Sequence, residues 1–368
     1  MRVGLLPALG GGIRALAATG QESRLIDGYF RPYLEAFEGL DYFSYLPESL
    51  AEFTDDAGLL ARVAVHAPAR PTARARRAVQ IPRAHATALR GCAALRVFQI
   101  TGVIPALLAR RRLGVPYVTT YGFWYATLSQ PGPKRALKAV VERLGLRNAA
   151  AVIATTPELA ERARRWARRV ELIPNGVDTD RFRPPARPPR NTPRRVLYVG
   201  RLSEEKNLPR LVGAGASVGA EVCLVGAGPL REPLELQARA LGARVVFPGV
   251  VRQPALPPVY ASADAFVLAS FTEGHPKVLL EAMACGVPCV ASDCAGNRSL
   301  VIDGRTGLLF DPHDEKALAR CLERVLHEPG LAPHLAAAAR EEVVARYGLR
   351  GLVAREIALI QDVARGGA

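Results

Sequence analysis

One rhythm restricts the fold of this chain more than any other feature. Short apolar runs without polar alternation recur from end to end, separated by stretches of helical periodicity. The pattern predicts strands at Arg2–Leu6, Arg62–His66, Leu95–Ile100, Pro116–Thr120 and Ala151–Ala154. It predicts five more at Arg194–Val199, Glu221–Val225, Arg244–Phe247, Ala265–Ala269 and Pro288–Ala291. A strand wetted on one face alternates apolar with polar residues, whereas a continuous β-branched or Leu-rich run is buried on both faces. Helical patterns lie between the runs, as at Lys134–Leu146, Pro157–Ala167, Pro229–Leu241 and Lys316–His327. Such alternation builds parallel sheets with helical crossovers, so an α/β class with doubly wound, Rossmann-like sheets is expected.

One segment breaks the rhythm. Arg181–Arg195 reads RFRPPARPPRNTPRR, with five prolines and almost no apolar residues, a composition that favours an extended, semi-rigid connection. A chain of 368 residues suits two domains. Expected are a first domain over 1–175, completed by a C-terminal helix at about 347–368, a hinge or linker over 176–193, and a second domain over 194–346. Ligands of doubly wound sheets sit at the C-terminal ends of the strands, so a cleft between two facing sheets is the expected site.

Charge narrows the partners. Lys and Arg number 49 against 34 Asp and Glu, a net charge of +15. Residues 1–175 hold 25 of those cations against 13 acids, while the rest is nearly balanced at 24 against 21. Either the first half meets an anionic partner, or the excess reflects an Arg- and Ala-rich coding bias. The anionic partner would be a membrane surface or a phosphorylated acceptor. Nucleic acid is set aside, because neither zinc-finger spacing nor an RNP-like aromatic motif is present. The basic stretch Ala69–Arg90 would lie on an anionic membrane or be an ordinary solvated helix. No apolar run reaches the ~18 residues of a membrane span. Cys285, Cys289 and Cys294 cluster in ACGVPCVASDC, but without the spacing of a zinc site. They are expected as buried, reduced thiols in a cytoplasmic protein, and no metal is expected. MRVGLLPALGGGIRALAATG reads as strand, glycine loop and helix rather than as a cleaved leader.

The most informative stretch runs from Ser270 to Pro288, SFTEGHPKVLLEAMACGVP, after the run Ala265–Ala269. Pro276 suits a helix start and Gly286 a helix end, which predicts a helix from about Pro276 to Cys285. Its free amides and positive dipole end would hold a phosphate. Glu273 before the helix and Glu281 within it would accept hydroxyls of one ligand, or simply cap and solvate the helix. After Arg194–Val199 come Arg201 and Lys206, a fork and a point charge suited to a diphosphate or to solvent. Val225-Gly226-Ala227-Gly228 resembles half of a dinucleotide fingerprint, but Arg231 stands where the third glycine belongs, so a tight turn is expected. Gly10-Gly11-Gly12 after the first strand would admit a phosphate or sugar to the backbone, or be a flexible connection.

Taken in order, IPNGVD, GRLSEEKN, LVGAGPL, SFTEGHPKVLLEAMACGVPCVAS and DGRTGLLF resemble glycosyltransferase family 4, retaining enzymes of GT-B fold. The resemblance covers residues 173–310; before that only strand order and the Gly10–Gly12 loop match. It implies a donor-binding second domain and an acceptor-side first domain facing across a cleft. It implies transfer of a sugar from a UDP- or GDP-type nucleoside diphosphate sugar, a co-substrate, with no further cofactor. By resemblance, Arg201 and Lys206 hold the donor diphosphate, and Glu273, the first Glu of an E-x7-E motif, lies near the transferred sugar. Gly274, His275, Pro276, Lys277, Val278 and Leu279 supply backbone over sugar and phosphates, and Glu281 takes the ribose. Val250 and Val251 line the base pocket, and Gly12 stands in the glycine loop on the donor. The acceptor, lipid-linked or polysaccharide, is not specified. One departure stands out: family members carry His-Gly where this chain reads Tyr121-Gly122, within TTYGFW. Either Tyr121 takes over a hydrogen-bonding part, or the acceptor side differs, or Tyr121, Phe123 and Trp124 are packing aromatics. Two rival classes remain: a non-catalytic nucleotide-sugar-binding subunit, and an NAD-dependent oxidoreductase lacking its full fingerprint.

Overall fold

The computed structural model describes residues 1–124, 132–186, 191–314 and 316–366. The chain divides into two compact units, one of Met1–Pro174 with Arg350–Ala368, the other of Asn175–Leu349.

The first unit holds seven strands: β1 (Arg2–Leu6), β2 (Gly39–Tyr42), β3 (Val63–Val65), β4 (Cys92–Val97), β5 (Tyr117–Tyr121), β6 (Ala151–Ala154) and β7 (Val170–Leu172). They lie in the order β3-β2-β1-β4-β5-β6-β7, and every pairing is parallel. The second unit holds β8 (Arg195–Val199), β9 (Glu221–Val225), β10 (Val245–Gly249), β11 (Ala265–Leu268), β12 (Cys289–Ser292) and β13 (Leu308–Phe310), in the order β10-β9-β8-β11-β12-β13, again all parallel. Helices connect successive strands, and each unit buries its own apolar core. The all-parallel doubly wound class is therefore as expected.

Three strands escape the apolar-run reading. β2 reads Gly-Leu-Asp-Tyr, and glycine and aspartate are poor strand formers. Asp41 is buried there because the guanidinium of Arg2 reaches its carboxylate at 2.7 Å. β7 and β13 are edge strands of three residues each, too short for a pattern.

The stretch expected as a linker over 176–193 is in part packed. Val177 donates its amide to the Tyr347 carbonyl at 2.9 Å and accepts from Leu349 at 2.9 Å, closing a bridge beside Gly348. Phe182 is fully buried in the second core. Arg340 donates to the carbonyls of Thr179, Phe182 and Ala284 at 2.7–3.0 Å. A buried ring and satisfied carbonyls hold residues 177–182 to the second unit despite the proline-rich sequence that follows. Residues 187–190 of the expected linker lie outside those described. The six cysteines are free thiols; Cys285 and Cys289 are buried as expected, whereas Cys294 is only half-buried.

A helix at Leu349–Ala364 buries Glu356 in the first unit. Arg96 of β4 meets its carboxylate through Nε at 2.7 Å and Nη2 at 3.0 Å, and also donates to Thr120 Oγ1 at 2.7 Å. The hydroxyl of Tyr33 donates to the same carboxylate. Burial works against the Arg96 charge, but the charge of Glu356 outweighs it and the guanidinium stays protonated. Such a pair costs much to break from one side. Glu356→Ala is expected to destabilise the first unit by about 3–5 kcal/mol, read as a lower urea midpoint. An unchanged midpoint would show that the pair carries no weight.

Candidate active site

In the second sheet the strand order reverses between β8 and β11: β9 and β10 lie on one side, β12 and β13 on the other. Ligands of doubly wound sheets bind where the order reverses, because the loops leaving the two strands part there and open a crevice. The loops leaving β8 and β11 carry GRLSEEKN and SFTEGHP.

They meet through side chains and backbone. The Lys206 ammonium lies 2.7 Å from Glu273 Oε1, and the amide of Phe271 donates to the Glu205 carbonyl at 2.9 Å. Both charged side chains are mostly buried, at 20% and 13% exposed, so their attraction is screened less than a surface pair's. Asn207 follows in the left-handed region (φ 54°), a conformation asparagine tolerates, and turns the chain into the helix Leu208–Ser217. Ser270 Oγ donates to Glu273 Oε1 at 2.6 Å, so the carboxylate is held twice. Glu205 does not pair with Lys206 as a neighbour in sequence. Its carboxylate takes the Ser203 hydroxyl at 2.6 Å. Burial works to raise the Glu205 carboxyl, but that hydrogen bond and the charges of Lys206 and Arg201 hold it below the usual range. Arg201 is exposed, and its carbonyl accepts from the Tyr198 hydroxyl at 2.8 Å.

The loop Glu273–Pro276 is rigidly backed. Ser292 Oγ donates to the Ser270 carbonyl at 2.5 Å, and Asn297 Nδ2 donates to both the carbonyl and the hydroxyl of Ser292. A Cβ on Gly296 would stand 2.4 Å from the Glu273 carbonyl oxygen, so only glycine lets the short helix Ala295–Arg298 approach this loop. Asn175 Nδ2 donates to the His275 carbonyl at 2.7 Å, and the His275 ring packs at 5.6 Å from that of Tyr347. Burial, aided by the Lys277 charge, pushes His275 down to about 3, so the imidazole is neutral at pH 7.

Pro276 is extended (φ −73°, ψ 114°) and sits at the N-cap, one place earlier than expected. The helix is Lys277–Ala284. The first-turn amides of Lys277, Val278 and Leu279 have no carbonyl of their own helix within reach, which makes this end a donor cluster with a positive dipole. Leu279 is buried and anchors the helix in the core. Glu281 is 2% exposed, and its Oε2 accepts from the Tyr260 hydroxyl at 2.9 Å. Glu281 is therefore neither a helix cap nor a solvated charge.

Gly226 and Gly228 serve packing. A Cβ on Gly226 would fall 1.9 Å from the Gly200 carbonyl oxygen, and one on Gly228 2.2 Å from that of Leu202. Leu202 and Leu230 donate across this contact at 3.0 Å, so the motif is a backbone-on-backbone turn that seats the Arg201 loop. After β10, Val250 is 43% exposed, while Val251 packs against the core.

In the first unit the order reverses between β1 and β4, beside the Gly10–Gly12 loop. The amides that follow Gly12 already hold a carboxylate: Ile13 donates to Glu48 Oε1 at 2.9 Å and Arg14 to Glu48 Oε2 at 2.7 Å. Tyr121 is fully buried at the end of β5, and burial pushes its phenol up. Its hydroxyl donates to Glu142 Oε1 at 2.8 Å and accepts from Arg162 Nε at 2.8 Å, and Arg162 lies 3.4 Å over the Trp124 ring. The expectation that Tyr121 substitutes for an acceptor-side histidine gives way to a packing role, because its hydroxyl is spent inside the domain. Gly122 is half-buried beside Thr155. Among the described residues no three His, Cys, Asp or Glu side chains gather as a metal set.

Comparisons with known proteins cover both units. Residues 180–342 match the family model of glycosyl transferases group 1, and residues 8–176 match the glycosyl transferase 4-like domain. Over 269 residues the chain is 35% identical to a GDP-mannose-dependent alpha-mannosyltransferase of Mycobacterium tuberculosis, a match spanning 66% of this chain and 67% of that protein. Among solved structures, sucrose-phosphate synthase from Thermosynechococcus elongatus superposes with a TM-score of 0.81 at 24% identity, over 100% of both chains. Anabaena HepE in complex with UDP does so with a TM-score of 0.77 at 18% identity, over 98% of this chain and 100% of that one. At these identities the structures speak for the fold alone. The paired parallel sheets, the loops meeting at the strand-order reversal and the matches over both units agree: the chain is a glycosyltransferase and belongs to family 4, of GT-B fold.

Proposed function

We propose that this enzyme moves a hexosyl group, with retention at the anomeric carbon, from a UDP- or GDP-type nucleoside diphosphate sugar to an acceptor hydroxyl. The acceptor would be a glycolipid, a polysaccharide or another glycoconjugate. The observation that carries the reading is the meeting of Lys206 and Glu273 at the strand-order reversal, beside the N-terminal turn of the helix Lys277–Ala284. The named activity of the 35% identical relative supports trying GDP-mannose first.

As the bond from the anomeric carbon to the diphosphate oxygen breaks, negative charge builds on the leaving group. Lys206, the exposed Arg201 and the amides of Lys277 to Leu279 would absorb it, with no bound metal required. Glu273, fixed by Lys206 and Ser270, would hold hydroxyls of the transferred sugar. The amides of Gly274 and His275 would line the sugar and phosphates, and Asn175 would keep that backbone in place through the His275 carbonyl. Glu281 would take the ribose and Val250 and Val251 the base. Glu273 is engaged by two donors, which weakens it as a nucleophile, so the reading favours front-face attack over a covalent intermediate. The first unit would bring the acceptor, and Gly12 would meet the donor only once Glu48 yields its amides.

An anionic membrane surface is proposed as a partner of the first unit. In the helix Arg74–Ala84, Arg76, Val79 and Arg83 share an outward face at helical spacing and are exposed. Arg77 turns inward instead, donating to the carbonyls of Ser44 and His66 at 3.1 and 2.9 Å, so it counts as structure. Among the described residues no helix is long and apolar enough to cross a membrane. The protein is expected to sediment with phosphatidylglycerol vesicles and not with phosphatidylcholine vesicles. Reversing Arg76 and Arg83 to Glu should release it, since each surface cation is worth about 1 kcal/mol. Equal sedimentation with both lipids would end the idea.

Lys206→Ala should lower turnover by roughly a hundredfold, as for the loss of one charge-stabilising donor. Transfer from radiolabelled GDP-mannose and UDP-sugars measures it, and wild-type turnover would remove Lys206 from the mechanism. Glu281→Ala should weaken binding of the free nucleoside diphosphate by roughly tenfold, the scale of a hydrogen bond to a charged group. Unchanged affinity in calorimetry would contradict the ribose assignment.

A further inference from the structure

A carboxylate that selects one arrangement of ribose hydroxyls must itself be held still. Glutamate has three side-chain torsions, and freezing them costs rotamer entropy unless a neighbour does it beforehand. Glu281 has such a neighbour. Tyr260, in the helix Leu256–Ala261, donates its hydroxyl to Glu281 Oε2 at 2.9 Å. Tyr260 is fully buried, and its ring is wedged 6.0 Å from Phe182 and 5.7 Å from Phe266. A tyrosine so packed has no other rotamer open to it, so its hydroxyl is a fixed point in the unit. Phe182 is itself held, because Arg340 donates to its carbonyl at 2.7 Å.

We propose that Tyr260 is a positioning residue for donor recognition: its hydroxyl fixes the Glu281 carboxylate in the orientation from which it accepts the ribose hydroxyls of the donor nucleotide. The proposal rests on the reading of Glu281 as the ribose acceptor and adds to it the residue that sets its geometry. Tyr260 touches no substrate. Its effect reaches the ligand through Glu281, so it acts on the part of the affinity that depends on the ribose hydroxyls and leaves the phosphate part alone.

That separation makes the test. GDP and 2′,3′-dideoxy-GDP are titrated by calorimetry into the full chain, with UDP and 2′,3′-dideoxy-UDP run alongside. Wild-type protein should prefer the ribonucleotide by roughly tenfold or more, and Glu281→Ala should bring the ratio near one. Tyr260→Phe keeps the ring and loses only the hydroxyl. It should cut the ribonucleotide preference by roughly threefold or more, while affinity for the dideoxy analogue changes by less than about twofold. The ratio is taken on one sample, so a partly unfolded fraction lowers both titrations alike and leaves it unchanged. A full wild-type preference in Tyr260→Phe would overturn the proposal and leave Tyr260 a packing residue. A preference that survives in Glu281→Ala would overturn the ribose reading itself, and the proposal with it.

Discussion

An ion pair 2.7 Å long, from Lys206 to Glu273, ties together the loops of the two strands between which the second sheet reverses its order. Much of the surrounding structure serves that contact. Glycines at 226 and 228 let the next loop press its backbone against Gly200 and Leu202, seating the segment that carries Arg201 and Lys206. Gly296, Ser292 and Asn297 back the segment that carries Glu273. Leu202 anchors the first loop in the core, and hydrogen bonds and close backbone approach add the rigidity that a preorganised charge site needs.

Charge at this point is balanced before any ligand arrives. Lys206 is offset by Glu273, and Glu205 lies within the fields of Lys206 and Arg201. Further positive charge comes from the exposed Arg201 and from the dipole of the helix Lys277–Ala284 at its first turn. An arriving diphosphate would compete with Glu273 for Lys206. On the proposed reading, a ligand that displaces the pair must bring both phosphate charge and sugar hydroxyls to take its place. At Glu281, too, the buried carboxylate is held by a neighbour, accepting a hydrogen bond from the Tyr260 hydroxyl.

Local pattern reveals some of this and conceals the rest for a physical reason. Strands buried on both faces announce themselves as apolar runs, so the doubly wound class and ten of the strands could be read directly. β2 could not, because its burial depends on Arg2 neutralising Asp41, 39 residues away in sequence. Lys206 and Glu273 could be singled out because each follows a readable strand, although their direct pairing across 67 residues could not. Asn175 lies 100 residues from His275, and nothing beside it in the sequence points to that contact. Tyr260 lay in LPPVYA with nothing beside it to suggest that its hydroxyl meets Glu281. Tyr121 misled in the other direction. Its place after a strand matched a site position, and only Glu142 and Arg162, brought in from two separate helices, decide that it faces inward.

The most direct measurement is of phosphate number. Convergence of Arg201, Lys206 and the helix amides on one pyrophosphate requires that the second phosphate contribute much of the binding. Calorimetric titration at one fixed salt concentration with GMP and GDP, and with UMP and UDP, isolates that contribution. For the pair that binds, the diphosphate should be tighter by roughly a hundredfold, the scale of two charge-assisted contacts. Equal affinity for monophosphate and diphosphate would contradict a pyrophosphate site at the ends of β8 and β11.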